Sequence, residues 1–502
     1  MKKLFWLFPV LFLIDNVLGA NGYHFTVFGI GIRILWFALS MASLCLYCLV
    51  TLRQQKISLW KKQPDRPYFW DYIKPMDWVV LAFIVWNLLW AIVVPRIKSG
   101  ANPADGLNEF DPMLSLFLYF PCAFLLRTGK MKLRSAIKWF IPLVILLAVW
   151  HTVMYAGETI SKGFYMGYYD LIDKISFGTA VRTEVITGIG IIRIIQVTSV
   201  LMIPGMLLLL AYATQSKRIW PYIALAPMLF GVLITYTKSI WFGILAGLAV
   251  AMIGFCICSK EQAAKKRAGA FLLVMTVLFF LFNNGFLHNT VITRTLNLTT
   301  STSINKIDSQ IANIQAQMDK LQAEATKPTD ATVATEATEP TVAPDLDKLA
   351  QKLEDLKNQR KDASTTALSQ ALRNEQNNAL LGKWSQSKWI GFGYGAYVED
   401  CVRNVQFPFM YESLIPALLL KIGVIGLAGW GAFVAAMVYF AFKALWKKPL
   451  KFWCWIGTGL AYGMAVQTNP FLFTFPGFSI MLMLMLTITA EERHECDPAV
   501  HL

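Results

Sequence analysis

Three arginines in one long polar stretch are the residues of this sequence best suited to bind an anion. Residues 287–411 are polar, whereas most of the chain on either side is apolar, and Arg294, Arg373 and Arg403 all fall within them. A guanidinium group is not deprotonated in proteins, and its planar fork of N–H donors matches the oxygens of a carboxylate or a phosphate. The arginines therefore indicate that this stretch holds an anionic ligand.

A carboxylate follows the polar stretch directly. Glu412 stands before Ser413, which can cap a short helix that stops at Gly423. A carboxylate at that position can act as a general base by accepting a proton from an attacking hydroxyl group. It can equally be a solvated carboxylate in the cap region of the helix. The residues alone leave both interpretations open.

Three alternating glycines precede the carboxylate, in the run Gly391-Phe-Gly-Tyr-Gly395. Glycine lacks a Cβ atom, so the backbone there can turn sharply or approach a ligand closely. No Walker lysine accompanies the run, so nucleotide binding is not indicated. Tyr394 and Tyr411 can stack on sugar faces, although aromatic residues at a membrane surface also serve as interfacial anchors.

The composition places these polar residues on a membrane protein. Of the 502 residues, 56% are hydrophobic and only 15% are charged, which excludes an ordinary soluble protein. The net charge of +15 is explained by basic loops, so no nucleic-acid partner is expected. We predict an all-α polytopic protein with about twelve membrane-spanning helices. They lie at about 4–20, 27–51, 77–95, 112–126, 139–156, 194–214, 220–236, 239–258, 269–286, 424–443, 452–467 and 474–490.

The distribution of lysine and arginine among the loops predicts the orientation. One set of loops, with the N-terminus, holds 23 of these residues and the opposite set holds seven. Positively charged loops stay on the cytoplasmic side of a membrane. Both termini are therefore predicted to be cytoplasmic, and the stretch 287–411 is predicted to face outward.

The domain organisation follows from these spans. Residues 1–286 form transmembrane helices 1–9, residues 287–411 the large outer loop, residues 412–490 a re-entrant helix with helices 10–12, and residues 491–502 a cytoplasmic tail. Two apolar heptad seams in the loop predict a coiled-coil hairpin over 303–366, with a disordered tip at 324–344. We interpret the hairpin as a spacer or partner-docking arm without chemistry of its own.

Four segments, in this order, resemble the superfamily of O-antigen ligases, O-antigen and exopolysaccharide polymerases and bacterial O-oligosaccharyltransferases. The resemblance covers about residues 185–445. The segments are 190–193, similar to the family's arginine before a central span; 235–247, similar to its Ser-Arg-x(4)-Gly-x(3)-Gly helix start; 369–395, similar to its run from an arginine to Gly-x-Gly-x-Gly; and 412–423 with Gly426, similar to its His-x(10)-Gly pattern.

Two departures from the family pattern favour a polymerase over a ligase. Ligases of this family carry histidine where this chain has Glu412, and arginine where it has Lys238. Polymerases that resemble this chain often have an acidic residue at the first of these places.

The resemblance implies an inverting, metal-independent glycosyltransferase of the bacterial inner membrane, active on the periplasmic face and without a cofactor. The donor would be an undecaprenyl-diphosphate-linked glycan and the acceptor another glycan, with membrane lipids and a chain-length regulator as further partners. Catalysis would rest on Glu412 as base and on Arg373 and Arg294 at the diphosphate. The residues implied to bind substrate are Arg193, Lys238, Arg403, Gly391, Gly393, Gly395, Tyr394 and Tyr411.

Two other functions stay open. An O-antigen ligase would use the same donor but transfer the glycan to lipid A-core or to a protein. A transporter would carry ionisable residues near the membrane midplane, in broken helices. The predicted spans hold few such residues apart from Asp15, Arg33 and His151, which favours the glycosyltransferase.

The predicted orientation can be tested with tags. A tag inserted at Thr332 should be cut by protease in intact spheroplasts, and a tag in the loop 52–76 should be protected, because the charge asymmetry places them on opposite sides. The reverse pattern of cleavage would invert the whole assignment.

Overall fold

The computed structural model describes residues 4–19, 26–27, 30–60, 62–63, 66–98, 102–175, 185–186, 192–287, 290–292, 301–325, 343–402 and 407–492. The helices, in chain order, are α1 (Leu7–Leu18), α2 (Ile32–Gln54), α3 (Pro75–Leu88), α4 (Val94–Ile97), α5 (Pro103–Phe110), α6 (Tyr119–Arg127), α7 (Leu133–Ile160), α8 (Phe164–Ile175), α9 (Met202–Gln215), α10 (Trp220–Leu233), α11 (Lys238–Cys258), α12 (Gln262–Gly285), α13 (Ser301–Ala325), α14 (Ala343–Trp384), α15 (Leu414–Leu445), α16 (Pro449–Val466) and α17 (Phe475–Glu492).

Shorter elements connect these helices. A π-helical turn, Leu89–Val93, joins α3 to α4. The 3₁₀ turns are Leu4–Trp6, Phe69–Tyr72, Asp111–Leu118, Val197–Leu201, Ser385–Ser387 and Glu399–Cys401. The strands are two residues long each, at β1 (Thr26–Val27), β2 (Ile30–Gly31), β3 (Val185–Ile186) and β4 (Arg193–Ile194), and β1 pairs with β2 in antiparallel fashion.

The class predicted from composition is confirmed: the chain is an all-α, multi-pass membrane protein. Every predicted span overlaps a helix. Among the described residues, nine helical stretches are long and apolar enough to cross a membrane, while α1 and α10 are apolar but shorter. The number of twelve spans and their orientation stay predictions.

Two compact units make up the chain. The first comprises Met1–Val185, Arg193–Phe280 and Gln376–Leu502, and the second Ile186–Ile192 and Leu281–Glu375. In the second unit, the two heptad seams face each other, with Ile307 and Ile314 of α13 buried beside Leu356 of α14. Helix α14 continues beyond the predicted end of the hairpin at 366 and reaches Trp384. Residues 326–342, which hold most of the predicted disordered tip, lie outside the described residues.

Small residues bring helices α11 and α16 of the first unit into backbone contact. A Cβ atom added to Gly457 would lie 2.4 Å from the carbonyl oxygen of Gly247, and one added to Gly247 would lie 2.5 Å from that of Gly457. Gly243 approaches the backbone of Ala461 in the same way, at 2.6 Å. Helices in lipid gain little from the hydrophobic effect, so close packing of this kind is a main source of their association.

A buried ion-pair network joins α3, α6 and α17. Arg127 donates to Asp77 at 2.6 Å and to Glu492 at 3.0 Å, and the Tyr119 hydroxyl donates to Asp77 at 2.7 Å. The side chains of Arg127 and Asp77 are only 6% and 10% exposed. Because every charge has an opposite partner, the network fixes these three helices without an isolated buried charge.

We predict that Gly457→Ala destabilises the protein, because its methyl group would collide with backbone atoms that cannot move aside. Overpacking of this kind costs about 1–3 kcal/mol. The matched control is Gly459→Ala on the same helix, where an added Cβ meets nothing within 4 Å. Thermal unfolding of both purified variants in detergent checks this. Equal unfolding temperatures would mean that the α11–α16 contact is not tight.

Candidate functional site

Helix α15 is broken at Gly423, inside a stretch apolar enough to span the membrane. Gly423 has φ 61° and ψ −170°, a backbone conformation that only glycine adopts readily. The break lies where the sequence predicts the end of the re-entrant helix. The predicted cap at its start is wrong, however, because Ser413 occupies the N-cap position but makes no capping hydrogen bond with its side chain.

The segment 388–393 replaces the helical hydrogen bonds that the break removes. The carbonyl groups of Leu420 and Lys421 accept from the N–H groups of Phe392 and Gly393, at 2.9 and 2.8 Å. On the other side of the break, Val424 and Ile425 donate to the carbonyls of Lys388 and Trp389, both at 3.0 Å. Non-helical backbone is tolerated at membrane depth only where its polar groups find such partners.

The alternating glycines are needed for this arrangement. Gly391, Gly393 and Gly395 have φ values of 73°, 94° and 81°, in the left-handed region that other residues rarely adopt. A Cβ atom on Gly391 would lie 2.5 Å from the carbonyl oxygen of Lys421. The sequence predicts that these glycines let the backbone approach a substrate closely. In the structure they let it approach the backbone of α15 instead.

A buried ion pair fixes the glycine run to α5. Glu109 accepts a hydrogen bond from Lys421 and, through its other oxygen, from the backbone N–H of Gly395 at 2.8 Å. Lys421 also donates to the carbonyl of Phe409 at 2.8 Å. The two charged side chains are 2% and 3% exposed. The pair therefore connects α5 and the broken helix with the backbone of Gly395 and of Phe409.

A small polar cavity of about 70 Å³ opens beside this ion pair. We call it the polar cavity. Its lining includes Arg33, Glu109, Tyr411, Lys421, Asn469 and Thr474. It has room for a few groups of the size of a water molecule. Charged, amide and hydroxyl groups thus converge on one small space whose other walls are apolar, and a few polar groups among apolar walls are typical of binding sites.

Arg33 brings a second positive charge to the polar cavity. Its guanidinium group lies 3.5 Å from the carboxylate of Asp111 and 4.8 Å from the ring centre of Phe475. The ion pair is partly exposed, with side-chain exposures of 17% and 23%.

Tyr411 forms an aromatic wall of the polar cavity and is itself 5% exposed. Its hydroxyl accepts a hydrogen bond from the backbone N–H of Val398 at 2.7 Å. Burial raises the pKa of this phenol above its ordinary value, although the bond from Val398 opposes the shift. The hydroxyl is therefore protonated at neutral pH and can donate to a ligand.

Arg193 and Lys238 come together at the start of α11. The Arg193 side chain donates to the Thr235 carbonyl at 2.9 Å and to the Thr237 hydroxyl at 3.2 Å. Thr237 is the N-cap of α11, and Lys238 is the first residue of that helix. The arginine thereby fixes the backbone that presents the lysine.

Two features of this helix start favour an anion. The N-terminus of a helix carries partial positive charge, and Lys238 in the first turn adds a full positive charge to it, which suits the binding of an anion. Tyr236, two residues earlier, has φ 46°, which is uncommon for a residue other than glycine. Backbone strain of this kind concentrates at functional sites.

Contacts link the start of α11 to the segment of Glu412. Asn469, which lines the polar cavity, donates to the Ser239 hydroxyl at 2.8 Å. The backbone N–H of Leu414 donates to the carbonyl of Gln467 at 3.2 Å. Glu412 itself is half-buried, between the buried Tyr411 and the start of α15. The structure thus brings the segments of Arg193, Lys238, Tyr411 and Glu412 around one region of the first unit.

The remaining predicted residues fall elsewhere. Arg294 and Arg403 lie outside the described residues. Arg373 is half-exposed on α14 and belongs to the second unit. Tyr394, predicted to bind sugar, is fully buried, and its hydroxyl donates to Asn87 at 2.6 Å. Its ring is closed off from any substrate in this structure, so we correct its role to packing.

The residues of the polar cavity that were not predicted from the sequence include Arg33, Glu109, Lys421, Asn469 and Thr474. Arg33 was noted only as a charge within a span. Lys421 stands alone in an apolar run, between Leu420 and Ile422, which was a signal that it has a buried partner. The predicted spans began after both Glu109 and Lys421, whereas the spanning stretches Pro103–Arg127 and Leu414–Leu445 include them.

No protein-family model matches this sequence, and no curated protein is significantly similar to it.

We predict that Lys421→Met is strongly destabilising, because it leaves the Glu109 carboxylate buried without its cation. Breaking a buried pair in this way costs about 3–5 kcal/mol. Adding Glu109→Gln should recover much of the loss, since the amide oxygen can still accept from Gly395. The measurement is thermal unfolding in detergent, with the exposed Lys388→Met as control. A double variant as unstable as Lys421→Met would argue against a charge pair.

Proposed function

We propose that the chain is a membrane glycosyltransferase that polymerises undecaprenyl-diphosphate-linked oligosaccharide repeat units, by inversion and without a metal. The observation that carries the proposal is the convergence described above. Arg193 holds the backbone that presents Lys238, and contacts through Asn469 link this cationic helix start to a polar cavity next to the half-buried Glu412. Transfer of a sugar from a diphosphate needs a cationic group for the leaving diphosphate and a base for the acceptor.

The cationic group is the start of α11. When the sugar–phosphate bond breaks, negative charge grows on the diphosphate. Lys238 and the partial positive charge of the helix N-terminus are fixed in advance, so they stabilise that charge without reorganisation. Arg193 acts on the diphosphate as a second donor or holds the helix start in place.

The base is Glu412. In an inverting transfer the acceptor hydroxyl attacks the sugar carbon and loses its proton as the diphosphate leaves, and a carboxylate within hydrogen-bonding reach accepts that proton. The neighbouring polar cavity offers Asn469, Thr474 and the Tyr411 hydroxyl to orient sugar hydroxyl groups. Arg373, Arg294 and Arg403 stay predicted contributors to donor binding.

Two alternative functions are an O-antigen ligase and a transporter. An O-antigen ligase would use the same site with lipid A-core or a protein as acceptor, and Glu412 in place of histidine favours the polymerase. A transporter is supported by one observation, the broken helix α15 with the buried pair of Glu109 and Lys421, since broken helices often surround transport sites. Two carbonyl and two N–H groups at this break are satisfied by the segment 388–393, which favours a structural purpose.

The test uses the purified full-length protein with an undecaprenyl-diphosphate-linked oligosaccharide, and measures donor binding and polymer formation separately. Glu412→Gln should keep donor binding and lower transfer by about 10²–10⁴-fold, the usual contribution of a general base. Lys238→Ala should weaken donor binding and lower transfer by about 10²–10³-fold. Lys162→Ala, an exposed lysine on the predicted outer face, is the control.

Each alternative has its own signature. Transfer to lipid A-core without polymer would identify a ligase, and uptake into proteoliposomes without glycan transfer would identify a transporter. Full polymer formation by Glu412→Gln would show that the carboxylate is not the base.

A further inference from the structure

A large apolar cavity shares no lining residue with the polar cavity. Its volume is about 740 Å³, and it is lined by α1, α2, α6, α7, α9 and α17. Its walls are almost entirely aliphatic and aromatic, for example Phe12, Leu44, Phe140 and Leu486. None of the residues of the proposed transfer reaction lines it. We call it the apolar cavity.

The apolar cavity opens sideways between α1 and α7. Leu7 of α1 and Trp139 of α7 line it and are 47% and 57% exposed, which is typical of residues at a mouth toward lipid. Along α1 its lining runs from Trp6 to Asn16, which corresponds to about 15 Å of helix. That is about half the thickness of the hydrocarbon core of a bilayer, the depth of one lipid leaflet.

Two lysines stand at one end of the apolar cavity. Lys130 and Lys132 line it, in the short loop between α6 and α7. Lys130 is half-buried and Lys132 is exposed, and neither has an ion-pair partner among the described residues. This loop belongs to the set predicted to be cytoplasmic from the charge distribution.

Two acidic residues at the end of α17, among the described residues, are already paired with cations. Glu492 accepts from Arg127, and Glu491 accepts from Lys448 and Lys451. Lys130 and Lys132 therefore leave a net positive mouth on an apolar cavity. An acyl chain alone would gain little there, because the bilayer is as apolar as the cavity, so the charge determines which lipid is preferred.

We propose that the apolar cavity binds an anionic glycerophospholipid of the cytoplasmic leaflet. One acyl chain lies between α1 and α7, and the phosphate contacts Lys130 and Lys132. The depth of the apolar cavity matches one leaflet, and its charge is complementary to the headgroup. This lipid site is distinct from the site of the proposed transfer reaction. Its lysines lie in a predicted cytoplasmic loop, whereas the donor diphosphate would bind at the predicted outer face.

The experiment titrates the full-length protein in detergent with phosphatidylglycerol, and separately with phosphatidylcholine of the same acyl chains, and counts bound lipids by native mass spectrometry. The wild type should bind phosphatidylglycerol more tightly. The double variant Lys130→Ala/Lys132→Ala should lose about 10–30-fold in affinity for phosphatidylglycerol and little for phosphatidylcholine. Lys443→Ala/Lys447→Ala, two exposed lysines of another predicted cytoplasmic loop, should change neither.

A second variant tests the acyl chain. Ala136→Trp fills the apolar cavity from α7 and should weaken the binding of both lipids. Three outcomes would overturn the proposal: equal losses in both lysine variants, no preference for the anionic lipid in the wild type, or unchanged binding in Ala136→Trp. A dimer that dissociates on Ala136→Trp would show instead that a second copy of the chain occupies the apolar cavity.

Discussion

The exchange of backbone hydrogen bonds at Gly423 is the interaction on which the rest of the site depends. A helix broken in a membrane exposes N–H and C=O groups that water cannot reach, and each unpaired group costs several kcal/mol. Here two carbonyls and two N–H groups of α15 are satisfied by the segment 388–393. The break and that segment are therefore stable only together, although about 30 residues separate them in sequence.

This constraint explains the residues around it. The glycine run must lie against the backbone of α15, which requires positive φ angles and no Cβ atom. The break also turns Lys421 toward Glu109, and that pair in turn holds the Gly395 N–H and the Phe409 carbonyl. The polar cavity is thus bordered by backbone that these hydrogen bonds hold in place, and the half-buried Glu412 directly follows Tyr411 of its lining. Under the proposed function, such a frame would hold the segment of Glu412 in place for general-base catalysis.

The sequence predicted much of the fold and less of the site. Apolar runs of about 20 residues dictate helices in a membrane, so every predicted span met a helix. The heptad seams likewise pack together as α13 and α14. Helix α14 extends beyond the predicted hairpin to Trp384, because polar residues such as Arg373 do not by themselves end a helix. The pairing of Gly423 with the glycine run could not be predicted, since it depends on contacts distant in sequence. For the same reason, Glu109 and Lys421 could not be recognised as partners.

Because Gly423 and the glycine run 391–395 are joined by backbone hydrogen bonds, the effects of variants at these glycines need careful interpretation. Substituting Gly391 or Gly423 would force a Cβ atom against backbone atoms at 2.4–2.5 Å. Such a variant would lose activity because the backbone arrangement is disrupted, whether or not these glycines contact a substrate. The same holds for Lys421, whose removal leaves a buried charge. Glu412 and Lys238 take no part in this exchange of hydrogen bonds. Substituting them removes a charge and leaves the backbone hydrogen bonds at Gly423 in place. Only at such positions does a loss of transfer report on the chemical step, and only when donor binding is measured beside it.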